Sequence, residues 1–195
     1  GRNFICAKHN FIAQHFIGEA TSLRSTSSHL RCTSKGVIPV KIQVAVLFGG
    51  KSVEHEISVI SALQAMNSIP TEKYEIIPVY ITKSGEFYTG APLREINRYR
   101  DIPALLKDCV KVAFTPQNGR TAIVRTPGKR FGDNTVAIPD VAFPIVHGTN
   151  VEDGNLQGFL GTLGLPYVGC DVLSSAVGMD KYVMKSVLAA EGIPV

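Results

Sequence analysis

Phe143-Pro-Ile-Val-His-Gly-Thr-Asn-Val-Glu-Asp-Gly-Asn-Leu-Gln-Gly158 is the stretch from which the rest of the chain is read. It begins inside an apolar run, Val141 to Val146, which has the length and composition of a buried strand. The run turns at His147-Gly148. Two carboxylates, Glu152 and Asp153, then open a segment with apolar residues at Leu156, Phe159, Leu160 and Leu163. That spacing marks one face of a helix, with the acids in a first turn where the helix dipole favours anions. A histidine thus sits at the carboxyl end of a strand, in a loop feeding a helix. In open α/β sheets this is the edge where ligands bind.

Working outward towards the amino terminus, Val44-Ala-Val-Leu-Phe48 is a second apolar run, ended by Gly49-Gly50. It reads as a central parallel strand followed by a tight turn. Ser52 is placed to cap the next helix, with Glu54 and Glu56 in its first turn. Ile57, Ile60, Leu63 and Met66 suggest its buried face, and Ile69-Pro70 its end. Tyr74 to Ile81 reads as a strand and Gly85-Glu-Phe-Tyr88 as the return arm of a hairpin, so strand, helix and strand form a βαβ unit. Ile102 to Lys107 predicts a short helix. Val110 to Phe114 and Thr121 to Val124 predict strands joined by Gln117-Asn118-Gly119. Beyond the organising stretch come a short strand, Leu165 to Val168, a brief helix capped by Asp171, and a last helix opened by Asp180 and stopped at Gly192 and Pro194. The expectation is an α/β fold with an open, mainly parallel, Rossmann-like sheet and helices on both faces.

Composition narrows the classes. The chain has 195 residues, 45% of them hydrophobic, enough to bury a full core. Its net charge of +4 is carried by the first forty residues, where Arg2, Lys8, Arg24, Arg31 and Lys35 face a single acid, Glu19. The rest holds as many acids as bases, so it lacks the charge excess of a nucleic-acid binder. No apolar run approaches a membrane span. Cys6, Cys32, Cys109 and Cys170 form no C-x-x-C pair and read as free thiols of a reducing compartment, the cytoplasm. Residues 1–40, rich in Ser and Thr, read as a disordered or targeting-like leader outside the fold.

Several motifs fail on their spacing. Gly50-Lys51-Ser52 resembles the end of a P-loop, but the glycine that motif needs is Ala45. Gly49-Gly50 is not the dinucleotide fingerprint. His55-Glu56 would suggest a zinc protease only if Val59 were histidine. His147, Glu152 and Asp153 lack a fourth partner, so no metal site is expected among them. What remains is a pair of loops, Gly49 to Glu56 and His147 to Gly154, each following a strand. Parallel strands aim their carboxyl ends at one edge, so both loops should face one cleft. A carboxylate, Glu54, an imidazole, His147, and helix amino termini suit a small zwitterion.

These residues carry a resemblance. Phe48-Gly-Gly-Lys-Ser-Val-Glu-His-Glu-Ile-Ser58, Val146-His-Gly-Thr-Asn-Val-Glu-Asp-Gly-Asn-Leu-Gln-Gly158 and Met179-Asp-Lys181 resemble the D-alanine–D-alanine ligase family of the ATP-grasp superfamily, in order and spacing, over residues 41–195. Val151 stands where most members have glycine.

The resemblance implies a pre-ATP-grasp substrate-binding domain over 41–170, and over 171–195 the start of an ATP-grasp lobe that is incomplete here. It implies ATP-dependent joining of two D-alanine molecules through an acyl phosphate, for peptidoglycan precursor synthesis. Glu54 would bind the ammonium of the first D-alanine, with Ser58 in the same pocket. His147 would stabilise charge at the reacting carboxyl, which makes Glu54 and His147 the catalytic candidates. Lys181 would contact the ATP phosphates. The family's magnesium ligands lie beyond position 195, so Mg2+ would bind outside this chain, and the chain alone is expected to be inactive. A homodimer is expected of the full-length protein. The competing readings are a stand-alone α/β binding module without chemistry, and a related ligase using D-lactate or D-serine.

Overall fold

The computed structural model describes residues 30–33, 36–39 and 41–195. The remainder of the leader reading lies outside the described residues. Within it, Leu30–Thr33 (β1) and Gly36–Pro39 (β2) form an antiparallel pair joined only to each other.

The main sheet has seven strands in the order β8-β7-β6-β5-β4-β3-β9. Three form a parallel centre. Ile42–Gly49 (β3) lies between Tyr74–Ile81 (β4) and Val141–Val146 (β9), parallel to both. Phe87–Thr89 (β5), Val110–Gln117 (β6), Arg120–Arg125 (β7) and Thr135–Ala137 (β8) extend it as an antiparallel wing. The mainly parallel character expected therefore belongs to the part that carries the site; the sheet as a whole is mixed. The physical reason lies in the connections. A two-residue turn cannot return a chain parallel to itself, and Asn118 (φ 51) and Gly119 (φ 73) supply the left-handed pair that a tight hairpin requires.

Both faces are covered. Val44, Val46 and Phe48 of β3 point to His55–Ser68 (α1) and Ile102–Lys107 (α2); Ala45 and Leu47 point to Asn155–Thr162 (α3). Alternation along β3 thus sorts its side chains into two cores. Helix α1 departs from the expected pattern. Its buried face is His55, Ser58, Val59, Ala62, Leu63, Ala65 and Met66, while Ile57 and Ile60 are about half exposed. Residues three apart drift around a helix of 3.6 residues per turn, so Ile57 and Met66 lie on opposite sides. Nor does Ser52 cap α1. Glu54 holds the N-cap position, and Ser52 Oγ accepts from the Glu54 N–H at 3.0 Å just ahead of the helix.

Helix α3 begins later than expected, after Gly154 in the left-handed region (φ 97), so Glu152 and Asp153 precede it and belong to the loop. The expected strand at Leu165–Val168 is reduced to one bridge, Ala142 to Tyr167. Val172–Met179 (α4) and Lys181–Ala190 (α5) close the chain, capped by Asp171 and Asp180, and neither has a buried residue. Asp171 accepts the Ser174 N–H, which holds its carboxyl below the ordinary value.

Candidate active site

The site is built where β3 and β9 end side by side. Gly49 (φ 90) and Gly50 (φ 96) turn the chain after β3, in a conformation that side chains disfavour. A Cβ on Gly49 would stand 2.4 Å from the Ile81 carbonyl oxygen. Ser58, fully buried on α1, bridges the two strand ends. Its Oγ accepts from the Gly49 N–H at 2.7 Å and donates to the Ile145 carbonyl at 2.6 Å. Those bonds commit the hydroxyl to the fold. Ser58 lies beneath the loops and has no surface to offer a ligand, so its sequence reading as a binding group gives way to one as a support.

The second loop is shaped by its own acids. Glu152 Oε2 accepts from the Gly148 N–H at 2.6 Å, and Asp153 Oδ2 accepts from the Asn150 N–H at 2.7 Å. Burial raises the Asp153 carboxyl, but hydrogen bonds from the Asn150 and Asn155 backbone and the Asn155 side chain outweigh it and hold the group below its ordinary value. These acids set loop shape, as their place in the sequence suggested, although from inside the loop and not from a helical turn.

Three contacts join the loops. Asn150 Nδ2 donates to the Lys51 carbonyl at 3.1 Å. A Cβ on Gly148 would stand 2.3 Å from Ser52 Oγ. Val151, buried, fills the space over Gly50, where a Cβ would meet its Cγ1 at 2.5 Å. The departure at Val151 is therefore accommodated as a plug between the loops.

The result is the juxtaposition expected from the two loops. Side-chain ligand atoms of Glu54, His147 and Glu152 lie within 4.8 Å of one another, with the two carboxylates exposed or half-buried and the imidazole at the buried boundary. His147 Nδ1 is 3.8 Å from Glu152 Oε1, and its Nε2 is 3.2 Å from Ser61 Oγ. The sequence reading puts Glu152 in a helical first turn; its place beside His147 follows from the loop that left-handed Gly154 closes ahead of α3. Two carboxylates around an imidazole attract a cation with N–H donors. The same three groups are close enough to share a metal ion, with Glu152 Oε2 already accepting the Gly148 N–H.

Lys181 is not brought into this cluster. It opens α5 on an exposed surface. Beside the cluster, Glu152 also lines a cavity of about 380 Å³ with Pro144, Gln157, Ser174 and Met179, and Lys181 is not among its walls. Lys181 alone does not make a nucleotide site.

Fold and cluster together define an α/β domain with its candidate site at the carboxyl edge of the parallel strands. The chain belongs to the family described as the D-ala D-ala ligase N-terminus, which it matches over residues 43–170. It is 41% identical over 155 residues to the D-alanine–D-alanine ligase of Thermosipho melanesiensis, and 43% identical over 157 residues to that of Caldicellulosiruptor bescii. Each match covers 79% of this chain but 41% and 40% of the relative, so the chain spans about two fifths of their length. Among solved structures, the D-alanine–D-alanine ligase of Coxiella burnetii superposes with a TM-score of 0.68 at 36% identity, covering 80% of this chain and 42% of that one. The VanG D-Ala:D-Ser ligase of Enterococcus faecalis superposes at 0.64 and 34% identity, over 80% of this chain and 43% of its own.

Proposed function

We propose that this chain is the first-substrate side of an ATP-dependent D-alanine–D-alanine ligase acting in peptidoglycan precursor synthesis in the cytoplasm. The observation that carries the reading is the meeting of Glu54 and His147 at one sheet edge. Glu54 holds the ammonium of the first D-alanine as an acceptor-only carboxylate. His147, seated between Ser61 and Glu152, faces the reacting carboxyl and stabilises the charge that develops there. Glu152 orients that imidazole. ATP, when bound with Mg2+, supplies the phosphoryl group that activates the first carboxylate; the second amine then attacks the acyl phosphate and phosphate leaves. Residues 171–195 begin the nucleotide-binding lobe, with Lys181 directed to phosphate, and the remaining ligands for ATP and Mg2+ lie in the part of the relatives that this chain does not match. A homodimer contact falls on the exposed outer face of α1, at Ile57 and Ile60, with Val53 just ahead of the helix.

The similarity to the D-Ala:D-Ser ligase favours a second reading of the acceptor alone, with D-serine as the second amino acid. The test is kinetic. In the complete ligase, Glu54→Ala raises the Michaelis constant for the first D-alanine about a hundredfold, the loss of a charged hydrogen bond, and leaves that for ATP unchanged. Lys181→Ala does the reverse. Equal effects of both changes on both constants would refute the assignment.

A further inference from the structure

We propose that His55 and Tyr80 are positioning residues, a hydrogen-bonded clamp on the Gly49-Gly50 turn that holds Glu54 in place opposite His147. The proposal rests on the reading of Glu54 as the first-substrate ligand.

The geometry fixes the direction of each bond. Gly50 N–H donates to the Ile81 carbonyl at 2.8 Å, and the Gly50 carbonyl lies 2.7 Å from His55 Nδ1. A carbonyl only accepts, so Nδ1 carries the ring hydrogen. In the neutral ring Nε2 is then the acceptor, and it takes the Tyr80 O–H at 2.8 Å. Burial, with a smaller contribution from the charge of Glu56, pushes the Tyr80 hydroxyl up to about 12, so it keeps its hydrogen at neutral pH. The chain of donors thus runs from β4 through the ring of α1's first residue to the turn after β3.

Two further observations describe the setting of the clamp. His55 and Tyr80 form one wall of an open cavity of about 610 Å³, lined elsewhere by apolar residues such as Val59 and Leu106 and by polar ones such as Thr82 and Lys83. The His55 ring, edge-on to Tyr80 with centroids 5.4 Å apart, is held by that contact and by its two hydrogen bonds. Gly49, in turn, has no Cβ to obstruct the clamp; one would stand 3.0 Å from both His55 Cε1 and Tyr80 Cε2. Glu54 directly precedes His55, so the anchored ring fixes the backbone from which the carboxylate projects.

The test has a spectroscopic arm and a kinetic arm. Imidazole ¹⁵N spectra of the 195-residue chain should show His55 with its hydrogen on Nδ1, and Tyr80→Phe, which keeps the ring, should leave the hydrogen there and shift the Nε2 resonance alone, because the Gly50 carbonyl still takes the Nδ1 hydrogen. In the complete ligase, His55→Leu should raise the Michaelis constant for the first D-alanine about tenfold, the equivalent of one lost hydrogen bond, with that for ATP unchanged. His55→Asn, whose amide nitrogen can replace Nδ1, should restore most of it. A hydrogen on Nε2 in the unsubstituted chain, or an unchanged D-alanine constant in His55→Leu, overturns the proposal. If Glu54→Ala also leaves that constant unchanged, the reading of the site has failed; if Glu54→Ala raises it while His55→Leu does not, the clamp alone has failed.

Discussion

The parallel centre and the antiparallel wing share one sheet and one of its two cores, and the candidate cluster forms at the edge of the centre. In the centre, β3 and β9 run the same way, so the loops after both arrive at one edge and Glu54 meets His147. In the wing, β6 and β7 reverse at Asn118-Gly119, and successive turns fall on alternate edges. The wing's polar contacts are instead pairs that fasten neighbouring segments, such as Lys111 with Glu86 at 2.5 Å and Arg120 with Asp140 at 2.7 Å. Strand direction, more than composition, decides where a site can form.

The largest contrast should come from two glycines with similar backbones. Gly49→Ala drives a methyl into the Ile81 carbonyl and should cost about 3–5 kcal/mol, combining left-handed strain with a backbone clash. Gly119→Ala meets nothing within 4 Å and should cost only about 1 kcal/mol. Urea unfolding of both variants checks this, and equal costs would remove the distinction between turn and site. Next in size, Ser58→Ala strands a buried N–H and a buried carbonyl at the strand ends and should cost about 2–4 kcal/mol. Thr121→Ala in the wing gives up one bond, to the Leu163 carbonyl, and should cost about 1 kcal/mol. Val151→Gly should cost about 2 kcal/mol by emptying the space over Gly50, and should speed amide exchange at Lys51 and Asn150 without affecting β7.

The smallest effect is a titration. The Asp153 carboxyl is held below its ordinary value of 3.8, so its contribution is complete above that pH and is lost as pH falls through the lower folded value. Acid titration followed by amide exchange should therefore open the His147 to Gly154 loop only below pH 3.8. Opening between pH 5 and neutrality would contradict the hydrogen bonds assigned to Asp153.

Much of the frame was legible because it is written in runs with clear ends. Tyr74–Ile81, Ile102–Lys107 and Val141–Val146 form at the boundaries that apolar content, Pro and Gly suggest. The convergence of Glu54 and His147 followed from strand direction alone. The inner face of α1 was hidden because small residues, Ser58, Ala62 and Ala65, let it approach the sheet, and small residues leave a weak periodic signal. A hydroxyl in a motif does not disclose which way it faces, so the inward turn of Ser58 is visible only in the structure. Glu152 was hidden for a different reason. An acid before a helix suits a first turn as well as a loop, and the left-handed Gly154 decides between them only in three dimensions.

One proline has a consequence for how the molecule keeps to itself. β9 is the last strand of the sheet, with an open flank. Its Ala142 turns both backbone groups outward, where they pair with Pro166 and Val168. Two residues on, Pro144 faces the same way by alternation and offers no N–H there. A stray strand drifting along that flank finds its first foothold taken and its next one missing, so the sheet stops growing beside the loop that carries His147.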